Sequence, residues 1–365
     1  MQSNMTRLHY MDSMRAVLMM LGVVLHTAQI YNPDQSWVLY TTTDSSKVAK
    51  VFYESIHLFR MPAFFVISGF FCGLTLQRYG ALKFLKVRIP RLVIPMVTTA
   101  LTLNVLQFYV LSASGWSSDT WETFFLQGGW VSHLWFLANL TFYFFVTATV
   151  FSFVPKRVSS LANVFLDHAA KLSGLFFLLL LPTITLLIMS LGQLGFPLYS
   201  QFWNTISVYQ LVLYVPFFTV GLLFGTKFQF LDKAIGLSAT WLIALLVACQ
   251  LSLQYLSDVG RLDAIFQLYF STLAAWCAIL VVFKSFHYFA NRSSRSWQFL
   301  SDSAYTVYLF HHAMVIILGI IAIKLELAFW IGFPAIICIV LICTLAFHLF
   351  LIIPNRKLRF LFNGK

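Results

Sequence analysis

Apolar residues run along this chain in stretches of about twenty, the length a helix needs to cross roughly 30 Å of hydrocarbon, and short polar segments separate them. Transmembrane barrel strands would instead give segments of about ten residues with period-two alternation. A helix also pairs its backbone polar groups within each span, as the bilayer interior requires. The pattern predicts ten spans, near 13–31, 51–77, 92–112, 132–154, 172–192, 208–226, 238–256, 263–285, 302–323 and 328–353. The expected fold is therefore an all-α polytopic membrane protein. Pro62, Pro182, Pro216 and Pro334 fall inside spans and predict kinks, because each removes a backbone donor. The weakest boundary lies at the very short turn around Lys324 and Glu326. The first span carries Arg15 and His26 and no small-residue cleavage pattern follows it, so it reads as a retained helix rather than a signal peptide.

Composition narrows the class. Of 365 residues 60% are hydrophobic and 10% charged, against about 25% charged in a soluble domain. Soluble-enzyme, disulfide-rich secreted and disordered classes are excluded. The five cysteines all lie in apolar runs without a Cys-x-x-Cys, and read as small core residues. No internal repeat or hydrophilic module is visible, so residues 1–365 are expected to form one transmembrane domain without a fused soluble domain.

The net charge of +12 is mainly a topology signal. Segment 78–91 alone carries Arg78, Lys83, Lys86, Arg88 and Arg91 and no acid. With Arg7, Arg15, the three other inward connections and the C-terminal segment with Lys365, one side holds 19 of the 24 basic residues. Positive residues concentrate in the cytoplasm, so ten spans place both termini there. The spread over six segments argues against nucleic acid as a partner and fits anionic lipid or a polyphosphorylated cofactor.

Titratable groups inside spans are costly and mark function. Arg15 and His26 are eleven residues apart, about three helical turns, and so share one face roughly 16 Å apart along the axis. Glu54, His57 and Arg60 follow one another at spacing three in the second span. Glu54 is placed to orient His26 or His57. Tyr305, Tyr308, His311 and His312 cluster in the ninth span, where Tyr308 and His312 share a face. Arg88-Ile-Pro-Arg91 is expected to open the third span, where paired arginines can grip phosphates. Trp37, Trp116, Trp121, Trp130, Trp135, Trp203 and Trp330 crowd the outer loops, more than an aromatic belt needs, and suggest a platform for sugar rings. His133 sits among them.

Four of these stretches together resemble a known family. Tyr10-Met-Asp12-Ser-Met-Arg15 followed by His26 resembles the Arg-x10-His signature of acyltransferase family 3. Arg88-Ile-Pro-Arg91 is similar to its Arg-x-x-Arg. Phe59-Arg60-Met-Pro62-Ala-Phe-Phe-Val-Ile-Ser68-Gly69-Phe and Ser303-Ala-Tyr305-Thr-Val-Tyr308-Leu-Phe-His311-His312 look like its second-span and late-span motifs. The resemblance covers nearly the whole chain.

That resemblance implies a bacterial inner-membrane O-acyltransferase. It implies an acetyl-CoA or succinyl-CoA donor on the cytoplasmic side, a glycan hydroxyl as acceptor on the other, and no metal. Carried onto this sequence, the catalytic group is His26 with Arg15 and Glu54. Arg88 and Arg91 bind acyl-CoA. His57, Arg60, His133, Trp135, Tyr308, His311 and His312 bind acceptor or acyl group. The residues alone leave two rivals: a proton-coupled transporter or flippase that performs no acyl transfer, and a membrane haem protein with paired histidine ligands.

Overall fold

A computed structural model describes residues 8–154, 156–202, 205–256 and 260–364; Arg7, Trp203 and Lys365 lie outside the described residues. Fifteen α-helices carry almost all of it. They are α1 (His9–Ile30), α2 (Lys47–Tyr79), α3 (Ala81–Leu101), α4 (Leu103–Ala113), α5 (Trp121–Leu126), α6 (Trp135–Phe153), α7 (Lys156–Ala169) and α8 (Gly174–Met189), then α9 (Val208–Thr226), α10 (Phe228–Gly236), α11 (Ala239–Leu253), α12 (Arg261–Phe289), α13 (Arg295–Lys324), α14 (Phe329–Phe347) and α15 (Arg356–Asn363). A two-residue antiparallel hairpin pairs Gln201–Phe202 with Ile206–Ser207.

Among the described residues, nine helical stretches are long and apolar enough to cross a membrane, and the bent pair α10–α11 makes a tenth. This is an all-α polytopic membrane protein, and every expected span has its helix. The very short turn expected at Lys324 and Glu326 is present, and the weak span lies elsewhere. The doubtful turn at Lys324 and Glu326 is sharp, with Glu326 at φ 49°, and α14 resumes at Phe329. The weak span is α11 instead, which has 15 residues and bends 78° from α10. At 1.5 Å per residue it covers about 22 Å, short of a full bilayer.

The third span also begins earlier than expected. Gly80 adopts φ 74° and ψ 170°, a region open essentially to glycine. It stops α2 and lets α3 start at Ala81. Arg88 and Arg91 therefore sit two turns inside a helix rather than at its first turn. The expectation that they open the helix is corrected; no helix N-terminus assists them.

The interior is organised around α1, α2, α9, α12 and α13, whose inward faces are the most buried. The closest crossing is α2 on α9. Gly69 and Gly73 on α2 face Gly221 and Gly225 on α9, so two Gly-x-x-x-Gly stripes meet. A methyl group at Gly69 would meet the Phe218 carbonyl, and one at Gly221 would meet the Val66 carbonyl. Small residues of this kind let backbones approach within membranes, where packing rather than the hydrophobic effect holds helices together. Helix ends are closed by side chains. Ser173 accepts from the Phe176 N–H at 3.1 Å, and Lys284 donates to the Leu237 carbonyl at 2.8 Å.

Candidate active site

Helices α1 and α13 run side by side in the same direction, α2 runs against them, and α6 closes one flank. Between them lie two cavities, one following the other along the helix axes.

The first cavity, of about 230 Å3, is polar at one end. Arg15 of α1, Arg88 and Arg91 of α3, Ser301, Asp302 and Tyr305 of α13, and Asn363 of α15 line it. Arg15 donates to Ser301 Oγ at 3.0 Å and lies 3.7 Å from the Asp12 carboxylate. Arg88 donates to Thr75 Oγ1 at 3.0 Å, and Tyr305 donates to the Arg91 carbonyl at 3.2 Å. The structure thus brings together three arginines from two distant segments. Three arginines around one opening, the guanidinium groups of Arg15 and Arg88 held by hydrogen bonds, form an anion-binding mouth.

The second cavity, of about 300 Å3, is lined by His26, His57, Arg60, His133, Trp135, Tyr308, His311 and His312, with Gln29, Trp37 and Gln107. Four imidazoles pack together inside it. The rings of His26 and His312 lie 4.7 Å apart between centroids, His133 and His312 stack at 4.7 Å, and His26 and His311 are 5.4 Å apart. Trp37 stacks on His26 at 5.5 Å and meets His312 edge-on at 5.6 Å.

Hydrogen bonds fix which nitrogen faces the cavity. His26 donates Nδ1–H to Gln29 Oε1 at 2.8 Å, and His312 donates Nδ1–H to Gln107 Oε1 at 2.7 Å. His311 donates Nδ1–H to the Tyr308 carbonyl at 2.7 Å. An amide or carbonyl oxygen only accepts, so each ring carries its proton on Nδ1 and keeps the Nε2 lone pair for the cavity. His311 Nε2 and both nitrogens of His133 are buried without a protein partner. Tyr308 donates to the His133 carbonyl at 2.8 Å and so holds the start of α6 in place. Among the described residues, no group of three or more His, Cys, Asp or Glu side chains is arranged to hold a metal ion.

Arg60 lies at the boundary of the two cavities. It is 5% exposed, donates Nε–H to the Leu18 carbonyl at 3.0 Å, and rests over the Phe64 ring, which lines the arginine cavity. No carboxylate pairs with it among the described residues. A buried, unpaired guanidinium is expensive. Gly22 of α1 makes room for it: a methyl group there would meet Arg60 Nη2 and would stand 3.1 Å from His311 Nε2.

Glu54 does not belong to this site. Its side chain is 58% exposed and pairs with Lys50 at 3.7 Å, within a surface group completed by Asp34. Six residues at 100° each turn Glu54 well away from Arg60, and Lys50 one turn before it captures the carboxylate in water. The expected orienting role for His26 falls to Gln29 instead. His57 stays at the rim, stacked on Tyr53 at 5.3 Å.

The reading from sequence missed Gln29, Gln107, Ser301 and Asn363. Gln29 stands three residues after His26 and was open to discovery by helical spacing. Gln107 and Asn363 come from remote segments and carry no local signal.

A sequence model of family 3 of the acyltransferase domains matches residues 8–349. The chain belongs to this acyltransferase family. Among curated relatives it is 30% identical to the glucans biosynthesis protein C of Salmonella gallinarum over 376 residues, covering 98% of this chain and 95% of that protein. Its likeness to the glucans biosynthesis protein C of Escherichia coli (strain K12) is also 30%, over 380 residues and the same shares of the two chains. No solved structure matches this chain. The match to the family takes in Arg15, His26, Arg60, Arg88, Arg91, His133 and the α13 histidines, and both cavities therefore lie almost wholly within the acyltransferase domain.

Proposed function

We propose that this protein moves an acyl group from cytoplasmic acyl-CoA to a hydroxyl of an extracytoplasmic glycan, in the inner membrane of a bacterium. The observation that carries this reading is the serial arrangement of the two cavities. An arginine-lined mouth suits an anionic carrier, and a histidine-lined chamber beyond it suits acid–base chemistry. The relatives named for glucan biosynthesis favour a periplasmic glucan as acceptor; lipopolysaccharide O-antigen or another polysaccharide is the alternative.

In this reading Arg88, Arg91 and Arg15 hold the phosphates of the donor. The acyl-bearing arm passes Arg60 and delivers the thioester to His26. Nε2 of His26, freed by the Gln29 hydrogen bond, takes the proton of the sugar hydroxyl as it attacks the thioester carbonyl. A second route through the same nitrogen forms an acyl-histidine that then transfers to the sugar. In the first route the imidazolium returns that proton to the departing thiolate of CoA; in the second CoA departs as the thiolate, and the proton that balances it is the one the sugar hydroxyl releases when it takes the acyl group from the histidine. Trp37 and Trp135 offer apolar faces to the acceptor ring. The acyl group is acetyl or succinyl. The unpaired, buried Arg60 favours an acyl chain that ends in a carboxylate, since such a chain would supply the counter-ion the protein lacks.

Mass spectrometry of envelope glycans tests the proposal directly, comparing cells with wild-type protein, with His26→Ala and with neither. A mass increment of one succinyl or acetyl unit with wild type alone supports it and names the acyl group. Identical glycans in all three, with protein present in the membrane, would overturn it; substrate movement without modification would then identify a transporter.

A further inference from the structure

The C-terminal helix α15 reaches back into the arginine-lined cavity, and the mechanism above gives it no task. Asn355 starts it by accepting from the Lys357 and Leu358 N–H groups. Arg356, Lys357 and Arg359 face outward, and Phe362 is buried against Phe310 with ring centroids 4.9 Å apart. The helix stops at Gly364, in the left-handed region at φ 61°. A methyl group there would meet the Pro90 carbonyl and would crowd the Arg91 backbone at 2.5 Å. The chain end is thus wedged onto the Arg88-Ile-Pro-Arg91 segment itself.

This wedge sets Asn363 at the cavity wall. Thr306 donates its hydroxyl to Asn363 Oδ1 at 3.4 Å. That hydroxyl has one proton, so the 2.8 Å contact between Thr306 and His348 is a donation from His348 Nδ1–H. His348 begins a π-helical turn that leads from α14 toward α15. The contact with Thr306 uses the amide oxygen of Asn363, a residue that itself lines the cavity.

We propose that Asn363 binds the donor, giving its amide N–H to a carbonyl of the pantetheine arm of acyl-CoA. This rests on the acyl-CoA reading given above. Thr306 lies between Tyr305, which lines the arginine cavity, and Tyr308, which lines the histidine cavity. Asn363 therefore stands deeper than Ser301 and Asp302, where the arm rather than the diphosphate would pass. The arm carries two amides, whose carbonyls need donors once out of water.

The test is calorimetric titration of the full chain in lipid nanodiscs with two probes: coenzyme A, and adenosine 3′,5′-bisphosphate, which lacks the arm. Asn363→Leu keeps the size, adds no charge beside the arginines and removes the N–H donors. We expect it to weaken coenzyme A binding by about three- to tenfold, the worth of one neutral hydrogen bond, and to leave the bisphosphate unchanged. Thr306→Val, which frees the amide to rotate, should show the same selective loss, more weakly. Unchanged coenzyme A affinity in Asn363→Leu overturns the proposal. So does an equal loss for both probes, which would mean that the mouth has collapsed. Wild type binding neither probe would instead refute the acyl-CoA reading on which it rests.

Discussion

A histidine serves as a base only while one nitrogen is held and the other is free. Gln29 provides that hold for His26, and does so without a charge that would trap an imidazolium. His26→Ala is expected to lower transfer by at least 10²–10⁴-fold, with the protein still present in membranes at wild-type level; near-normal glycan acylation would refute the role. Gln29→Leu removes only the hold. Its expected signature is a fall of about tenfold in kcat with little change in KM for the donor, because the donor mouth is elsewhere. A change confined to KM would show that Gln29 contacts substrate instead. Gly22 supplies a third check. A methyl group there meets the tip of the flexible Arg60 side chain, not backbone. Gly22→Ala should therefore leave the thermal midpoint within a few degrees of wild type while it displaces the guanidinium and lowers transfer. Equal activity would mean that the position of Arg60 is immaterial to the reaction.

At the scale of elements, glycine does two different jobs. At Gly69 and Gly221 it removes a side chain that would strike the facing backbone carbonyl, which cannot move aside. Gly221→Val is expected to destabilise the protein by about 1–3 kcal/mol or more, the usual cost of overpacking, read as an earlier unfolding transition in detergent. At Gly80 nothing lies within reach, and the cost of Gly80→Ala is the backbone conformation alone, about 1–3 kcal/mol. These elements were largely legible beforehand, because a 20-residue apolar run has few folded forms in a membrane. Arg15 and His26 share a face by helical arithmetic, and the α13 histidines announced themselves by their cost in a span. What stayed hidden was whatever depends on how one helix meets another. Glu54 looked like a partner for His26 from its neighbours in sequence, yet the rotation of α2 and the nearby Lys50 send it to the surface. Arg88 and Arg91 looked like the start of a helix because the charge density suggested a loop; Gly80 alone ends α2, and the basic residues are helical.

For the whole molecule, the order of the cavities ties chemistry to orientation. The arginine mouth opens at the end where α13 begins, near the turn that includes Ser293. The histidine cavity opens at the end where α2 begins, near Ser45. Coenzyme A is an intracellular metabolite too polar to cross a bilayer, so the donor reading requires the Ser293 end to face the cytoplasm. The excess of lysine and arginine at that end agrees with the positive-inside rule. Both residues are exposed, and the five native cysteines lie within helices, three of them buried. A Ser45→Cys variant is therefore expected to react with an impermeant maleimide on intact spheroplasts, and a Ser293→Cys variant only after permeabilisation, each against the unsubstituted protein as blank. Arg88→Ala combined with Arg91→Ala should then weaken coenzyme A binding at least tenfold, since charge-assisted hydrogen bonds are worth about 1.5–3 kcal/mol each. The two results bear on one claim from different sides. Reversed labelling would set the arginine mouth outside, where no acyl-CoA is supplied. The histidine chamber would then need a donor carried by lipid or glycan, even if the arginines still held a phosphate.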